Sequence, residues 1–382
     1  MIYLDNAATS LHKPPEVLAA VTKALQGMVN SGRGSFAAHL TGAKLILETR
    51  ELLAELFGAE GPEQIAFTLN STMSLNLALK GLLVPGDTVV TTSLEHNSVL
   101  RPLTQLQQTG VKVKIIGCLP EPQEAGKLDY SALKAALAKG GVKAVVCTHA
   151  SNLTGNLVAV NKIGAWCKAA GALFIVDASQ TAGVFPLHMA KDYIDVLCFT
   201  GHKSLMGPMG TGGLCVRRGL KVTPLVTGGT GTKTFSLLQP AVMPDALEAG
   251  TLNGHGLAGL HASLLALKKI GWDNIRQQEA CLMREFYKLV VHIPHVHIYG
   301  DFTQPQRAPI VALNLGEEDA SMVSDYLATK HNIYTRAGGH CAPLMHVALG
   351  IRQQGAVRFS FSYYNTLEEV HTAARALAAY EL

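Results

Sequence analysis

Long apolar runs are missing from this chain, and no uninterrupted hydrophobic stretch reaches the length of a bilayer span. No membrane association is therefore expected. The opening residues, MIYLDNAATS, contain no basic stretch followed by an apolar one. No secretory leader is read there, and a cytoplasmic location is the expectation. Charge is also sparse: 16% of residues are charged, the formal net charge is +4, and basic residues never run to five in a row. Nothing in that pattern resembles the electrostatic footprint of a nucleic-acid binder. The seven cysteines are odd in number and contain no C-x-x-C pair. That argues against both a disulfide framework and a zinc knuckle. His292, His295 and His297 alternate as metal ligands can, but they flank Pro294 and no nearby Cys or Asp completes a set. No metal is expected.

What is present is apolar content: 48% hydrophobic residues in a chain of 382. That is a well-buried globular composition, and the length exceeds what one ordinary core serves, so two domains are expected. Cys118, Cys147, Cys198 and Cys215 sit in or beside β-like apolar runs and read as small buried hydrophobes.

Helical and strand patterns alternate from about residue 14 to 218. Pro14 and Pro15 open a helical stretch expected to run through Val29, since proline is tolerated in a first turn. Residues 40–59 carry leucines at helical spacing and end near Gly58. Strands are expected at 64–69, 88–93, 111–116, 144–148, 173–176, 196–199 and 212–216, with helices at 71–83, 97–108, 130–138 and 162–170 between them. Several of these strands are apolar nearly throughout, as strands covered on both faces are. The alternation predicts an α/β fold with a mostly parallel seven-stranded sheet. After a helix at 257–270, a mixed pattern follows with strands at 296–299, 310–315 and 356–362. The expected division is a large domain over 14–255 and a smaller α+β domain formed by 1–13 with 256–382.

Two segments carry the chemistry: FIVDASQ at 174–180 and FTGHKSLMGPMGTGG at 199–213. Each begins as an apolar strand and ends in polar residues. Ligands of open α/β sheets bind where strands end, so Asp177 and Lys203 should point into one crevice. A lysine amine beside a carboxylate is what pyridoxal phosphate needs: the amine forms a Schiff base, and the carboxylate keeps the pyridine nitrogen protonated. His202, Thr200 and the following glycines could contribute to a phosphate site. A buried strand-end aspartate and a surface lysine are the bland alternative.

The chain resembles the cysteine desulfurases, members of the aminotransferase class V group of fold-type I pyridoxal-phosphate enzymes. The resemblance is carried by YLDNAATS at 3–10, NSTMSLN at 70–76, SLEHNSVLRP at 93–102, HASNLTGNLVAV at 149–160, VDASQTAG at 176–183, TGHKSLMGP at 200–208, EAGTLN at 248–253, RAGGHCAPL at 336–344 and VRFSFSYYNT at 357–366. It implies roles residue by residue. Lys203 holds the cofactor, Asp177 faces the pyridine nitrogen, Gln180 reaches the ring hydroxyl and His96 stacks on the ring. Without that context, His96 would read as a packed or solvated histidine. Ser71, Thr72, Thr200 and His202 bind phosphate, the first two at a helix start that also suits simple N-capping. Thr251 resembles a threonine donated to a neighbouring subunit, which implies a homodimer. Asn152, Arg358, Arg336 and Ala8 bind substrate; for Arg358 the alternative is a surface charge on an edge strand.

The resemblance makes Cys341 the nucleophile. Positive neighbours lower a thiol pKa, and Arg336 and His340 lie close in sequence. The implied reaction takes L-cysteine, lets Lys203 move the α-proton, leaves a persulfide on Cys341 and releases alanine. Pro343 stands two residues after Cys341, a compact loop that resembles the subgroup passing sulfur to a small acceptor protein. Selenocysteine lyase and cysteine sulfinate desulfinase activities belong to the same scaffold and remain alternatives, as does a non-catalytic binding protein of the same fold. The sequence departs from the family pattern at Gly339, where a second histidine is common. It also lacks a residue between Ala342 and Pro343, and it has Met73-Ser74 in place of Glu-Gly. These departures bear on the acceptor and the preferred substrate, not on the lysine.

Overall fold

The computed structural model describes residues 1–28, 37–119 and 126–381. The first elements are β1 (Ile2–Tyr3), α1 (Pro15–Gly27), α2 (Ala37–Phe57), β2 (Ile65–Thr68), α3 (Ser71–Leu82), β3 (Thr88–Thr92), α4 (Asn97–Gln108) and β4 (Lys112–Ile116). Next come α5 (Tyr130–Ala138), β5 (Val142–Thr148), α6 (Val160–Ala170), β6 (Leu173–Asp177), β7 (Val196–Thr200) and β8 (Gly212–Val216). The remainder holds α7 (Gly254–Ile270), α8 (Trp272–Val290), β9 (Val296–Tyr299), β10 (Ile310–Leu315), α9 (Ala320–His331), β11 (Ile333–Tyr334), β12 (Arg336–Gly338), α10 (Pro343–Ala348), β13 (Ala356–Ser360) and α11 (Leu367–Ala378). The first helix, expected to run through Val29, is described to Gly27 and its cap; Val29 lies outside the described residues.

Seven strands form one sheet in the order β2-β8-β7-β6-β5-β3-β4. β3, β4, β5, β6 and β7 are mutually parallel, while β8 runs antiparallel to both β7 and β2. β2 therefore points the same way as the parallel set. Alternate residues of each strand feed opposite layers, because side chains in a strand have a period of two. Val145 and Cys147 join one apolar cluster with residues of α2, α5, α6 and α7, whereas Ala144 and Val146 join another with residues of α3 and α4. Coverage on both faces explains why these strands are apolar throughout.

A four-stranded antiparallel sheet of order β12-β13-β10-β9 forms a separate core with α8, α9 and α11, built on Phe286, Phe359 and Phe361. β1 pairs with β11, tying the N-terminus to this region. Cys147, Cys198 and Cys215 are buried as expected; Cys118 is only half-buried and lies 3.2 Å from Ser93 Oγ. No helix among the described residues is long and apolar enough to cross a membrane.

Candidate active site

The direction of chain progression through the sheet reverses between β3 and β5, which sit side by side although β4 separates them in sequence. Such a reversal opens a crevice at the carboxyl ends of the strands. Residues just past those ends line it: Ser71 and Thr72 after β2, His96 after β3, Asn152 after β5, Asp177, Ser179 and Gln180 at the end of β6, and Thr200, His202 and Lys203 at the end of β7. The cavity is about 70 Å³. The strand-end reasoning for Asp177 and Lys203 is thus matched by the geometry.

Lys203 is short of solvent. Burial brings its amine down to about 8; the nearby Asp177 opposes this, while Arg358 and Arg336 reinforce it. An amine so placed is partly neutral near pH 8 and therefore nucleophilic. Asp177 is buried, and its Oδ1 accepts from Ser71 Oγ at 3.2 Å, from Ser179 N–H at 3.0 Å and from Ser179 Oγ at 2.5 Å. His96 caps α4, and its Nδ1 accepts the Ser98 N–H at 3.0 Å. Burial first, and the Lys203 charge second, hold His96 at about 4, so the ring is neutral and its proton sits on Nε2.

The opposite end of the crevice suits an anion. The N-cap of α3 is Asn70, whose side chain takes the Met73 N–H, so Ser71 and Thr72 are the first two helical residues rather than the cap. Their N–H groups precede the first intrahelical bond and carry the positive end of the helix dipole. Thr72 Oγ1 lies 2.8 Å from Ser98 Oγ, joining this end to His96. His202 is also neutral, brought to about 4 by burial and by the charges of Lys203 and Lys13, and it is 3.1 Å from Thr9 Oγ1. Thr200 is buried, and Gln180 Nε2 donates to the Ala7 carbonyl at 3.1 Å.

Arg358 is 2% exposed and lies on β13, a strand with neighbours on both sides, so the edge-strand alternative is overturned. Its guanidinium donates to Asp5 Oδ1 at 2.6 Å and to the Asn152 carbonyl at 2.9 Å, while Nε is buried without a partner among the described residues. Arg336 stands directly across from it on β12. Asn152 Nδ2 donates to the His340 carbonyl at 2.7 Å, and its Oδ1 is a buried atom without a partner among the described residues. Ala8 is half-buried in the turn closed by its N–H to the Asp5 carbonyl; Asn6 and Ala7 of the same segment line a smaller cavity beside the crevice. Thr251 is exposed and lies in another depression, with Thr68, Leu69 and Met73.

Cys341 is exposed, as expected for a nucleophile. Its carbonyl accepts the Asn97 N–H at 2.8 Å, one residue from His96. The expected help from a positive His340 is corrected: His340 is buried, and burial together with Arg358 brings it to about 3, so it is neutral. Arg336 is the cation that remains on the exposed side.

Sequence reasoning did not single out Glu95 or Glu279. Both are buried, and burial raises each to about 8. A glutamate reads as a surface residue in sequence, so neither gave a signal.

Comparison with known proteins agrees with this geometry. The aminotransferase class-V family model matches residues 2–372. A Pyrococcus abyssi protein named "Probable cysteine desulfurase" is 35% identical, over 97% of this chain and 92% of its own. A Haloferax volcanii cysteine desulfurase is 31% identical over 99% and 89%. The apo structure of a cysteine desulfurase from Thermococcus onnurineus NA1 superposes with a TM-score of 0.91 at 34% identity, covering 99% of this chain and 94% of that one. With a fold of the same type and a match over nearly its whole length, the chain belongs to the aminotransferase class V family, among the cysteine desulfurases.

Proposed function

We propose that the chain is a pyridoxal-phosphate-dependent cysteine desulfurase that converts L-cysteine to L-alanine and keeps the sulfur as a persulfide on Cys341. The observation that carries this is the convergence of Lys203, Asp177 and His96 in one crevice whose wall is bonded to the Cys341 carbonyl.

The residues present fit the cofactor. Ser71, Thr72, Thr200 and His202 offer hydroxyl, imidazole and helix-terminal donors for a phosphate; Asp177 suits a protonated pyridine nitrogen; Gln180 suits the ring hydroxyl. Lys203, with its lowered pKa, supplies the attaching amine. When bound, the cofactor supplies an electron sink for the substrate carbanion. His96, on the crevice wall, would pack against the ring face. Arg358, Arg336 and Asn152 receive the substrate carboxylate, for which the unpartnered Arg358 Nε and the two facing guanidiniums are suited, and Ala8 closes the substrate side. Lys203 moves the α-proton. The Cys341 thiolate attacks the substrate sulfur, the S–S bond forms as the Cβ–S bond breaks, Cβ keeps the bonding pair and takes the proton that Cys341 gave up, and alanine leaves once Lys203 has returned the other proton to Cα.

The proposal extends to organisation. Residues 14–255 form the cofactor-holding unit, and 1–13 with 256–382 the unit that carries the cysteine loop. Thr251 reaches the active site of a partner in a homodimer; the fully exposed Phe235 and Leu237, with Leu238 beside them, supply apolar surface for such an interface. The compact loop favours transfer of sulfur to a small acceptor protein in the cytoplasm, for cofactor or cluster assembly.

The test is production of alanine and sulfide from L-cysteine, with and without reductant, alongside a visible spectrum. L-selenocysteine and L-cysteine sulfinate run in parallel identify the preferred substrate. Cys341→Ala should keep the cofactor absorbance and lose persulfide; Lys203→Ala should lose the Schiff-base absorbance. Release of sulfur by Cys341→Ala at the parent rate would overturn the reading.

A further inference from the structure

Asp5 follows β1 and lies in the turn that carries Ala8, whose N–H donates to the Asp5 carbonyl at 3.0 Å. Its backbone is bridged to Ser360 on β13, two residues from Arg358. A carboxylate is thereby placed on the substrate side of the crevice, beside the two arginines that receive the substrate's own carboxylate.

The three charges are engaged differently. Arg358 has five N–H donors. One on Nη2 goes to Asp5 Oδ1 at 2.6 Å, and one on Nη1 goes to the Asn152 carbonyl at 2.9 Å. The Asp5 carboxylate is half-buried and the guanidinium wholly so, and solvent screens such a pair only weakly. Arg336 faces Arg358 across the register of β12 and β13 and is exposed. Its guanidinium has no hydrogen-bond or ion-pair partner among the described residues. Both arginines and Asp5 act electrostatically on Lys203, so all three charges bear on the reacting centre. His96 and His340, the imidazoles around them, are neutral, and Asp177 is matched to the cofactor's ring nitrogen. Two cations and one carboxylate leave a single net positive charge at this end.

We propose that Asp5 is a specificity-determining residue: it limits the carboxylate end of the crevice to substrates whose only anion is the α-carboxylate, and it turns away those with a second anion on the side chain. The proposal rests on the reading of Arg358 and Arg336 as receivers of the substrate carboxylate. One carboxylate neutralises the charge that remains. A second anion finds no cation left and is repelled by Asp5. L-Cysteine, with an uncharged thiol, is admitted; L-cysteine sulfinate, with an anionic side chain, is disfavoured.

Asp5→Asn tests this, because it keeps an oxygen that can accept from Arg358 Nη2 and removes only the charge. The probes are L-asparagine and L-aspartate, alike in size and different in side-chain charge. Each is titrated into protein loaded with pyridoxal phosphate and read by the visible spectral change. The parent should bind L-asparagine more tightly. In Asp5→Asn the preference should move toward L-aspartate on the order of tenfold, and kcat/KM for L-cysteine sulfinate relative to L-cysteine should move by a similar factor. A merely structural lesion would weaken both amino acids alike and leave the ratio where it was. An unchanged ratio, or a parent that binds L-aspartate as tightly as L-asparagine, overturns the proposal. Should the variant not fold, the parent's ratio alone decides. A parent that shows the expected ratio yet forms no persulfide from L-cysteine would sink the desulfurase reading alone; one without cofactor absorbance would sink both.

Discussion

The backbone N–H of Asn97 donates to the carbonyl of Cys341 at 2.8 Å, across 244 positions of sequence. Asn152 Nδ2 grips the preceding carbonyl, that of His340, at 2.7 Å. Two consecutive carbonyls of the cysteine loop are thus held by the chain that follows β3 and β5, the same strands that deliver His96 and Asn152 to the crevice.

Asn152→Ala should therefore loosen the loop and weaken substrate binding together. We expect KM for L-cysteine to rise, and amide hydrogen exchange at residues 339–342 to quicken, with the cofactor absorbance retained. Unchanged exchange at the loop would show that the His340 bond contributes nothing to its position.

Arg358→Ala removes the buried member of its pair with the half-buried Asp5 and leaves the Asn152 carbonyl without its donor. Truncating one member of a fully buried ion pair costs about 3–5 kcal/mol, and the solvent that reaches Asp5 brings the expected cost to about 3 kcal/mol or less. Denaturant unfolding should report a loss of that order, and L-cysteine saturation should move to higher concentration. Arg358→Lys should recover stability in part but not affinity, because lysine lacks the planar fork.

Glu95 gives a pH signature. Its Oε1 accepts from Thr92 Oγ1 at 2.5 Å and from the Thr148 N–H at 3.1 Å, yet burial, reinforced by Asp177, holds it at about 8. Between the unfolded carboxyl range and pH 8, the folded chain keeps a proton that the unfolded chain gives up. Stability from this group is complete at low pH and falls as pH rises through 8. Glu95→Gln should remove that slope, so the Tm of the variant relative to the parent should climb between pH 5 and pH 8. A constant difference over that range would place the Glu95 proton elsewhere.

Gly212 permits a close approach at the anion end of the crevice. A Cβ there would come within 2.7 Å of Asn70 Cα and 2.9 Å of its carbonyl carbon. Because Asn70 caps α3, Gly212→Ala should displace the helix start, cost about 1–3 kcal/mol of stability and weaken affinity for pyridoxal phosphate. Equilibrium dialysis and thermal melts read both effects.

Much of this architecture was legible in sequence because the sheet is doubly covered. Strands such as β6 and β7 are apolar runs bounded by polar residues, and their ends marked Asp177 and Lys203. The antiparallel direction of β8 was not legible, since GGLCV reads alike in either sense. β1, β11 and β12 are two or three residues long, too short for any period to register. Arg358 reaches Asp5 across 353 positions, and no local pattern encodes such a meeting. His340 misled because proximity in sequence implied a charge that burial removes. Thr251 remains an expectation about a second subunit.

His340 and Cys341 both adopt left-handed backbone angles, with φ of +49° and +54°. Side-chain-bearing residues rarely hold that conformation, and here two in succession fold the chain back on itself just before Pro343 begins α10. The thiol is therefore mounted on a clenched knuckle, not at the tip of a swinging arm. With its own carbonyl and the one before it tied to the crevice wall, the exposed thiol sits at the doorway, and a recipient of its cargo would present its acceptor atom there.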